Sequence, residues 1–367
     1  MSLDYVFPGL YKSPIDYTLT VTYLVRTHTI IHMRVTHLCV STNNKTSCPM
    51  TMPDALSKPF IYMAPLRGIT DALFRRIYCK HFEGINAAVA PFINPQRKSG
   101  HTDKLLADVS PQASDLDLIP QLLNTDGDDF LALAQRLYDL GYNEINWNLG
   151  CPVPMVAKKR RGSGLLPFPD QIVAFLDYVL PRLKTRLSLK MRLGYHDHQE
   201  SLTLLPLLDR YPLSEIIIHA RLGKQLYRGV TSPDRFILCQ RVSRHRLVYN
   251  GDINTSSDYH SLNRLIKVDR WMIGRGLIAN PFLPSEIKSK RLSGQLRNER
   301  LQLFHDELFL AMKERLDGPG HLLGRMKQIW IYLISSFPGK SNTLKKITKA
   351  TTEGKYLNAV QSLFLTE

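Results

Sequence analysis

One stretch of the chain combines a single thiol with dense positive charge. Residues 146–164 read NWNLGCPVPMVAKKRRGSG, in which Cys151 stands between a glycine and a proline. Most buried cysteines are chemically inert, so a structural role is the alternative for this one. A position just after an apolar, strand-like segment, flanking residues that restrict the loop, and nearby cations together favour a chemical role.

Four cations follow the thiol, namely Lys158, Lys159, Arg160 and Arg161. Cations lower the pKa of a thiol only at close range, and this run begins seven residues beyond Cys151. We therefore assign it no effect on the thiol. We expect the four side chains to contact phosphate groups of a substrate, the alternative being a solvated loop.

Further ionisable residues stand within apolar segments. Lys190 and Arg192 lie in LSLKMRLG, and His219 and Arg221 end EIIIHAR. Burying a lone lysine is costly unless an anionic or polar group accepts its hydrogen bonds, so Lys190 predicts such a partner and favours a functional site. His219 taken alone could equally be a satisfied core histidine.

Two glycine-containing turns, YNGDI and IGRG, end later apolar segments. Either could be an ordinary turn. Their order is more informative, because backbone N–H groups after the last two strands of a β/α barrel commonly bind phosphate. We predict a phosphate-bearing cofactor or substrate, held by Asn250, Gly251, Asp252, Gly274, Arg275 and Gly276.

Strands and helices in regular alternation must position these residues. Short apolar runs such as FIYMAPL, EINWN and EIIIHAR alternate with helical patterns such as DDFLALAQRLYDLG, seven or eight times within residues 58–285. Such units predict a parallel sheet buried on both faces. The length of the segment, and the lack of GxGxxG after its first strand, favour a (β/α)₈ TIM barrel over a doubly wound open sheet.

The regions on either side of this segment differ from it. Residues 286–367 show amphipathic helical patterns without an intervening strand, and carry fourteen Lys and Arg against eight Asp and Glu. They predict a small, basic, all-helical domain. Residues 1–57 show no clear pattern; we expect either a native start at Met50 or Met52, or a disordered or loosely attached arm.

The charge of the whole chain points to a class of partner. The formal net charge is +16 and the isoelectric point is about 9.6. This balance favours a polyanionic partner, of which nucleic acid is the commonest. A basic but indifferent surface is the alternative.

Cysteine usage and hydropathy bound the remaining classes. The five cysteines are scattered and odd in number, and no Cys or His cluster has the spacing of a metal site. No apolar run reaches the ~20 residues of a membrane-spanning helix, and the first residues lack a secretory signal pattern. We expect a cytoplasmic protein, a monomer, without a metal or a membrane partner.

Several motifs, taken in order, resemble those of the tRNA-dihydrouridine synthases. They are MAPLRGITDALFR, NWNLGCP with GSGLL, KMRLG, IIIHAR, YNGDI and IGRGLIANP. The similarity runs from about residue 60 into the C-terminal helices, where GRMKQIWIYL is most similar to the bacterial C subfamily. Each motif alone is weak, whereas all of them in this order are specific.

The resemblance implies an FMN-bound barrel that uses NADPH to reduce a uridine of the tRNA D-loop to 5,6-dihydrouridine; the C subfamily suggests uridine 16. Hydride would reach C6 of the base, and Cys151, as a protonated thiol, would give C5 its proton from the opposite face. The two glycine turns would hold the FMN phosphate. The flavin ring and ribityl chain would be lined by Ala64, Pro65, Leu66, Gln121, Lys190 and His219.

The same resemblance implies contacts to the substrate. Asn148 would hydrogen-bond the uracil edge, with Arg192 and Arg221 as further substrate contacts. The base must leave its stack to reach the flavin. The four-cation run and the basic helical domain would bind the tRNA backbone.

At four places the chain departs from the family pattern. Asn146 stands where an acidic residue is usual and Leu66 where Met is frequent; Ala90-Pro91 replaces Thr-Glu, and Pro154 replaces a basic or polar residue. These departures concern substrate contact and subfamily. Two other functions stay open: an FMN-barrel reductase of a small pyrimidine, and a catalytically inactive tRNA-binding protein.

Overall fold

The computed structural model describes residues 58–94, 106–110, 116–290 and 292–365. Ser57–Glu367 form one compact unit. The predictions made for residues 1–57 lie outside the described residues.

Nine short parallel strands of the described chain form one sheet in the order β3-β2-β1-β9-β8-β7-β6-β5-β4. Their bounds are β1 Phe60–Met63, β2 Ala87–Val89, β3 Asp117–Ile119, β4 Gln121–Leu122, β5 Glu144–Leu149, β6 Arg186–Arg192, β7 Leu213–His219, β8 Leu247–Asn250 and β9 Arg270–Ile273.

The sheet closes on itself. Consecutive strands β3 and β4 are separated only by Pro120, and they pair with β2 and β5 respectively. Proline has no N–H for the ladder, so β3 and β4 act as one strand interrupted at this residue. The nine segments therefore make an eight-stranded barrel, and the predicted (β/α)₈ fold is confirmed.

Helices follow most strands and continue beyond the last one. They are α1 Ala72–His81, α2 Gly127–Asp139, α3 Pro154–Ala157, α4 Pro169–Val179, α5 Gln199–Leu208, α6 Pro233–Val242, α7 Ser256–Leu265, α8 Arg275–Ala279, α9 Leu283–Ile287, α10 Gly294–Arg315, α11 Pro319–Leu333, α12 Ser341–Lys349 and α13 Glu353–Phe364. The region after β9 is helical, as predicted, while the boundary at residue 285/286 stays a prediction.

Two buried clusters account for the packing. A small one fills the barrel interior and includes Tyr62, Val89, Ile217, Val248 and Met272. A larger one lies between the strands and the surrounding helices and continues into the C-terminal helices. Alternate residues of each strand point to opposite faces, so the same strands contribute side chains to both clusters. This explains why the strands are continuous apolar runs in the sequence.

The C-terminal helices pack against the barrel through aromatic side chains. Phe304 of α10 lies with its ring centroid 5.8 Å from that of Phe74 and 5.0 Å from that of Phe82. Within the helical region, Tyr356 accepts hydrogen bonds from Trp330 and lies 2.9 Å from His305. None of the helices in the described ranges is both long and apolar enough to cross a bilayer.

Candidate active site

A cavity opens at the carboxyl ends of the strands. This is the end of a β/α barrel at which active sites form. The structure brings most of the predicted site residues together in its wall. These are Ala64, Pro65, Leu66, Gln121, Asn148, Cys151, Lys190, Arg192, His219, Asn250, Gly251, Asp252, Gly274, Arg275 and Gly276.

The loop that carries Cys151 is held from both sides. The backbone carbonyl of Cys151 accepts hydrogen bonds from the backbone N–H and the hydroxyl of Ser163, each at 3.0 Å. Gly162 has a φ of +57°, and a Cβ there would lie 2.6 Å from the Cys151 carbonyl oxygen. This close contact explains the first glycine of the GSG segment, because only glycine fits at position 162 against the Cys151 loop.

Asn148 anchors the same loop at its beginning. Its Oδ1 accepts the backbone N–H groups of Gly150 and Cys151 at 2.9 and 2.8 Å, and its Nδ2 donates to Gln121 Oε1 at 2.7 Å. Both lone pairs of Oδ1 are used, so Asn148 can offer the cavity only its remaining N–H.

The Cys151 side chain is held as a thiol. Only 8% of the residue is exposed, and burial raises the pKa of the thiol, because a thiolate is poorly solvated there. The backbone N–H of Val153 and the charges of Arg192 and Arg67 act in the opposite direction, but burial is the larger influence. At neutral pH the Cys151 side chain is therefore protonated.

Lys190 lies half-buried in the floor of the cavity. Its Nζ donates to Asn250 Oδ1 at 2.8 Å, and no described carboxylate forms an ion pair with it. Burial, and secondarily the charge of Arg192, lowers the pKa of Lys190 to about 7. An anion bound beside the amine would favour its protonated form and complete the site.

His219 is kept neutral by its surroundings. Burial lowers the pKa of its imidazole well below the usual value, and the charges of Arg192, Lys190, Arg221 and Arg275 lower it further. Nη1 of Arg221 lies 3.2 Å from His219 Nε2. A guanidinium can only donate, so Nε2 accepts and Nδ1 carries the proton.

The predicted phosphate loops lie against each other. Asp252 accepts hydrogen bonds from Arg275 at 2.7 Å and from both terminal nitrogens of Arg221. Gly276, in the first turn of α8, approaches the backbone of Ile253 and Asn254 so closely that a Cβ would overlap the Ile253 carbonyl. The two loops are therefore fixed relative to each other, at the site where backbone N–H groups could bind an anion.

A family model described as "Dihydrouridine synthase (Dus)" matches residues 62–365. The chain belongs to the dihydrouridine synthase family. The tRNA-dihydrouridine synthase B of Pasteurella multocida is 30% identical over 226 residues, which are 61% of this chain and 67% of that protein. The tRNA-dihydrouridine(16) synthase of Pseudomonas putida is 26% identical over 291 residues, which are 76% of this chain and 89% of that protein.

Among solved structures, an old yellow enzyme homologue from Zymomonas mobilis is 13% identical, with a TM-score of 0.45 over 64% of this chain and 89% of that one. The predicted membership of the dihydrouridine synthase family is confirmed by the family model and by the Pasteurella multocida relative.

Not every predicted contact residue of this family member reaches the cavity. Arg221 is 2% exposed and lies behind the cavity wall. Its guanidinium donates hydrogen bonds there to Asp252 and to the carbonyl of Gly229. The run Lys158, Lys159, Arg160 and Arg161 lies at the surface beyond α3, at the same end of the barrel. None of these four forms an ion pair with a carboxylate among the described residues.

The departures from the family pattern fall in different surroundings. Leu66 and Pro91 line the cavity, and Pro154 is exposed at the first position of α3. Asn146 is fully buried on β5 beside the cavity, where it accepts a hydrogen bond from Gln121.

The cavity also contains residues that the sequence did not single out. Tyr227 is the most informative: Arg192 and Arg275 lie over its ring at 5.3 and 5.6 Å from the centroid. The other additional lining residues are Arg67, Phe92, Gly150, Pro152, Val153 and Asn254. Tyr227 stands in an irregular loop, eight residues after His219, where no periodic pattern marks it.

The charge of the cavity wall is unbalanced. Arg67, Lys190, Arg192 and Arg275 line it, against the single carboxylate of Asp252. No group of three or more acidic, His or Cys side chains among the described residues could hold a metal ion. The site is therefore arranged for an anionic ligand.

Proposed function

We propose that this protein reduces a uridine of tRNA to 5,6-dihydrouridine, using bound FMN and NADPH. The observation that carries the proposal is the juxtaposition of a protonated thiol and a cation-rich cavity, in a chain that belongs to the dihydrouridine synthase family. Each of the two features has a separate part in the reaction.

The cavity fits FMN in charge and in construction. The phosphate would lie on the backbone N–H groups of residues 251–252 and 274–276, beside Arg275. Gly274 leaves room there, since a Cβ at this position would meet only Ala64 and Leu66, at 3.4 and 3.7 Å. Lys190, with no acidic partner in the described chain, would face the anionic part of the flavin ring and regain its charge.

The chemistry that FMN supplies when bound is the hydride, received from NADPH, that adds to C6 of the uracil ring. The protein must provide the rest. Negative charge develops at C5 and O4 as C6 accepts the hydride, and C5 must receive a proton. Cys151 is the acid: its S–H bond breaks as the C5–H bond forms, and the thiolate takes its proton back from solvent after product release.

Burial of the thiol suits this role. A thiolate would have no proton to give, so a raised pKa keeps Cys151 in the productive form across the neutral range. The remaining N–H of Asn148 faces the same cavity and would donate to a uracil carbonyl. Arg192 donates hydrogen bonds to the carbonyls of Gly150 and Leu222, which fix its guanidinium. It would contribute positive charge at a fixed place in the cavity wall.

The surface near the cavity suits a polynucleotide. The target base must be unstacked to enter, which requires the flanking backbone to be held at the rim. The four-cation run beyond α3 and the basic C-terminal helices supply cations for phosphates, and tRNA is recognised mainly by shape.

Uridine 16 of the D-loop is suggested by the C-subfamily resemblance of the tail and by the name of the Pseudomonas putida relative. We further propose that the protein acts as a cytoplasmic monomer with NADPH as the reductant.

The decisive experiment is a reaction of the purified protein with NADPH and tRNA that lacks dihydrouridine, followed by mass spectrometry of that tRNA. Dihydrouridine at one D-loop position is the expected result and identifies the uridine. No product from a flavin-loaded protein would favour the reductase of a small pyrimidine. No product from a flavin-free protein that binds tRNA would favour the binding-only function.

A further inference from the structure

A chain of buried polar side chains runs behind the cavity wall to the loop of Cys151. Ser188 Oγ donates to the carbonyl of Ile145 at 3.2 Å, and Asn146 Nδ2 donates to Ser188 Oγ at 2.9 Å. Gln121 Nε2 donates to Asn146 Oδ1 at 2.7 Å, and Asn148 Nδ2 donates to Gln121 Oε1, also at 2.7 Å. Asn148 Oδ1 then accepts the N–H of the Cys151 loop.

The direction of every bond in this chain is set by its two ends. At one end the backbone N–H groups of Gly150 and Cys151 can only donate, so the Asn148 atom that faces them must be the oxygen. At the other end the Ile145 carbonyl can only accept, so Ser188 must donate to it. Each amide between the two ends then has a single consistent orientation.

Two members of the chain are outside the cavity. Asn146 and Ser188 are fully buried and do not line it, whereas Gln121 and Asn148 do. The strand register explains the alignment, because Asn146 of β5 is the partner of Gln121 on one side and of Ser188 on the other. The three residues are held at one level of the barrel by the sheet itself.

From this geometry we infer that Asn146 and Ser188 are positioning residues for proton donation by Cys151. Asn146 fixes the Gln121 amide, Gln121 fixes the Asn148 amide, and Asn148 holds the backbone of the Cys151 loop and presents its N–H to the base. The inference rests on the proposed function for its catalytic meaning, but the hydrogen-bond chain itself does not.

Replacing Asn146 distinguishes positioning from bulk packing. Asn146→Leu keeps the branching at Cγ but removes the acceptor of Gln121, which frees that amide to rotate and loosens Asn148. Asn146→Asp keeps the acceptor: a carboxylate can accept from Gln121 Nε2 and from the Ser188 hydroxyl, which rotates away from Ile145. The direction of the Gln121 and Asn148 amides is then unchanged, so the aspartate variant is expected to restore function.

The experiment measures the two half-reactions of the flavin-loaded enzyme separately, by absorbance in a stopped-flow instrument without oxygen. Reduction by NADPH needs no proton from Cys151, whereas reoxidation by tRNA does. For Asn146→Leu we expect reoxidation to slow about tenfold, the effect of one buried hydrogen bond, and reduction by NADPH to change much less.

Ser188→Ala is expected to act in the same direction but less strongly, since Asn146 still accepts from Gln121. Its matched control is Ser201→Ala on α5, which removes another buried hydroxyl that donates to a backbone carbonyl but is not part of this hydrogen-bond chain. The inference is overturned if Asn146→Leu reoxidises at the parent rate, if both half-reactions slow equally, or if Asn146→Asp is as slow as Asn146→Leu.

A second measurement keeps the inference testable if tRNA is not the substrate. The rate at which iodoacetamide alkylates Cys151 is followed by peptide mass spectrometry between pH 6 and about 10, a range that brackets the usual thiol pKa. Asn146→Leu should alkylate faster and with an altered pH profile, while Asn146→Asp and Ser201→Ala match the parent. An unchanged pH profile of alkylation in Asn146→Leu refutes the positioning role of Asn146. An altered profile without tRNA turnover refutes only the proposed function.

Discussion

Lys190 provides the most direct test of the proposed cofactor site. Burial lowers the pKa of its amine to about 7 in the protein without ligand. The flavin ring would offer hydrogen-bond acceptors to the ammonium, and the FMN phosphate would add negative charge nearby. Both stabilise the ammonium form, so binding should be accompanied by uptake of a proton whenever the pH exceeds about 7. The affinity for FMN is therefore expected to fall as the pH rises through and above this value.

The size of the effect follows from the pKa. With a pKa of about 7 for Lys190 in the free protein and a much higher one in the complex, the dissociation constant is inversely proportional to the fraction of free protein in which Lys190 is protonated. Between pH 7 and 9 it should increase about 50-fold. The second ionisation of the FMN phosphate lies near pH ~6 and contributes little in this range.

The assay is a fluorescence titration of FMN with the flavin-free protein at several pH values, carried out on the parent and on Lys190→Met. Methionine retains most of the apolar stem without the amine. The parent should show the 50-fold change, and the variant a nearly constant dissociation constant. A flat profile in the parent, or an equal slope in the variant, would refute the argument that Lys190 faces the anionic ligand.

Three further outcomes are expected. Cys151→Ala should lower the rate of tRNA reduction by ~10²–10⁴-fold, the usual effect of losing a general acid, while flavin reduction by NADPH is unchanged; an unchanged overall rate would remove the assigned role. Gly276→Ala should weaken FMN binding and lower the melting temperature, because its methyl group overlaps the neighbouring loop, whereas Gly324→Ala, which has open space around it, should do neither. Replacing Lys158 and Lys159 by serine should reduce the slope of log Kd for tRNA against log salt by about 1–2; an identical slope would place them outside the tRNA interface.

The fold was predictable because its signal is local. Apolar runs of strand length alternate with helical periodicity over most of the chain, and the right-handed connectivity of parallel strands leaves few arrangements for such units. Once a barrel is assumed, residues at strand ends are near each other whatever their separation in sequence. The position of Ala64, Lys190 and Gly274 at strand ends was enough to predict that they share one site. The structure places all three in the cavity wall.

Other features depended on side-chain directions that no periodicity encodes. Arg221 follows β7 just as His219 ends it, yet its guanidinium turns away from the cavity toward Asp252 and Gly229. Tyr227 reaches the cavity from an irregular loop, in which Leu226 has a positive φ of +53°. Pro120 has no N–H, so an interruption of the strand there could be expected from the sequence. The sequence does not show that the two halves pair with β2 and β5 and so close the barrel.

The structure also resolves an apparent conflict in the sequence, between a thiol that must stay protonated and a site rich in cations. Positive charge favours a thiolate, and Arg192 and Arg67 do lower the pKa of Cys151. Desolvation outweighs them because the thiol is almost fully buried, whereas much of the field of both guanidinium groups is screened by solvent or by their own hydrogen-bond partners. Lys190 follows the same physics with the opposite sign, since burial lowers its pKa to about 7 and a bound anion would favour the charged form. Burial in one cavity wall thus keeps the Cys151 thiol protonated and lowers the pKa of Lys190. A site that must protonate a base and bind an anionic cofactor requires both effects.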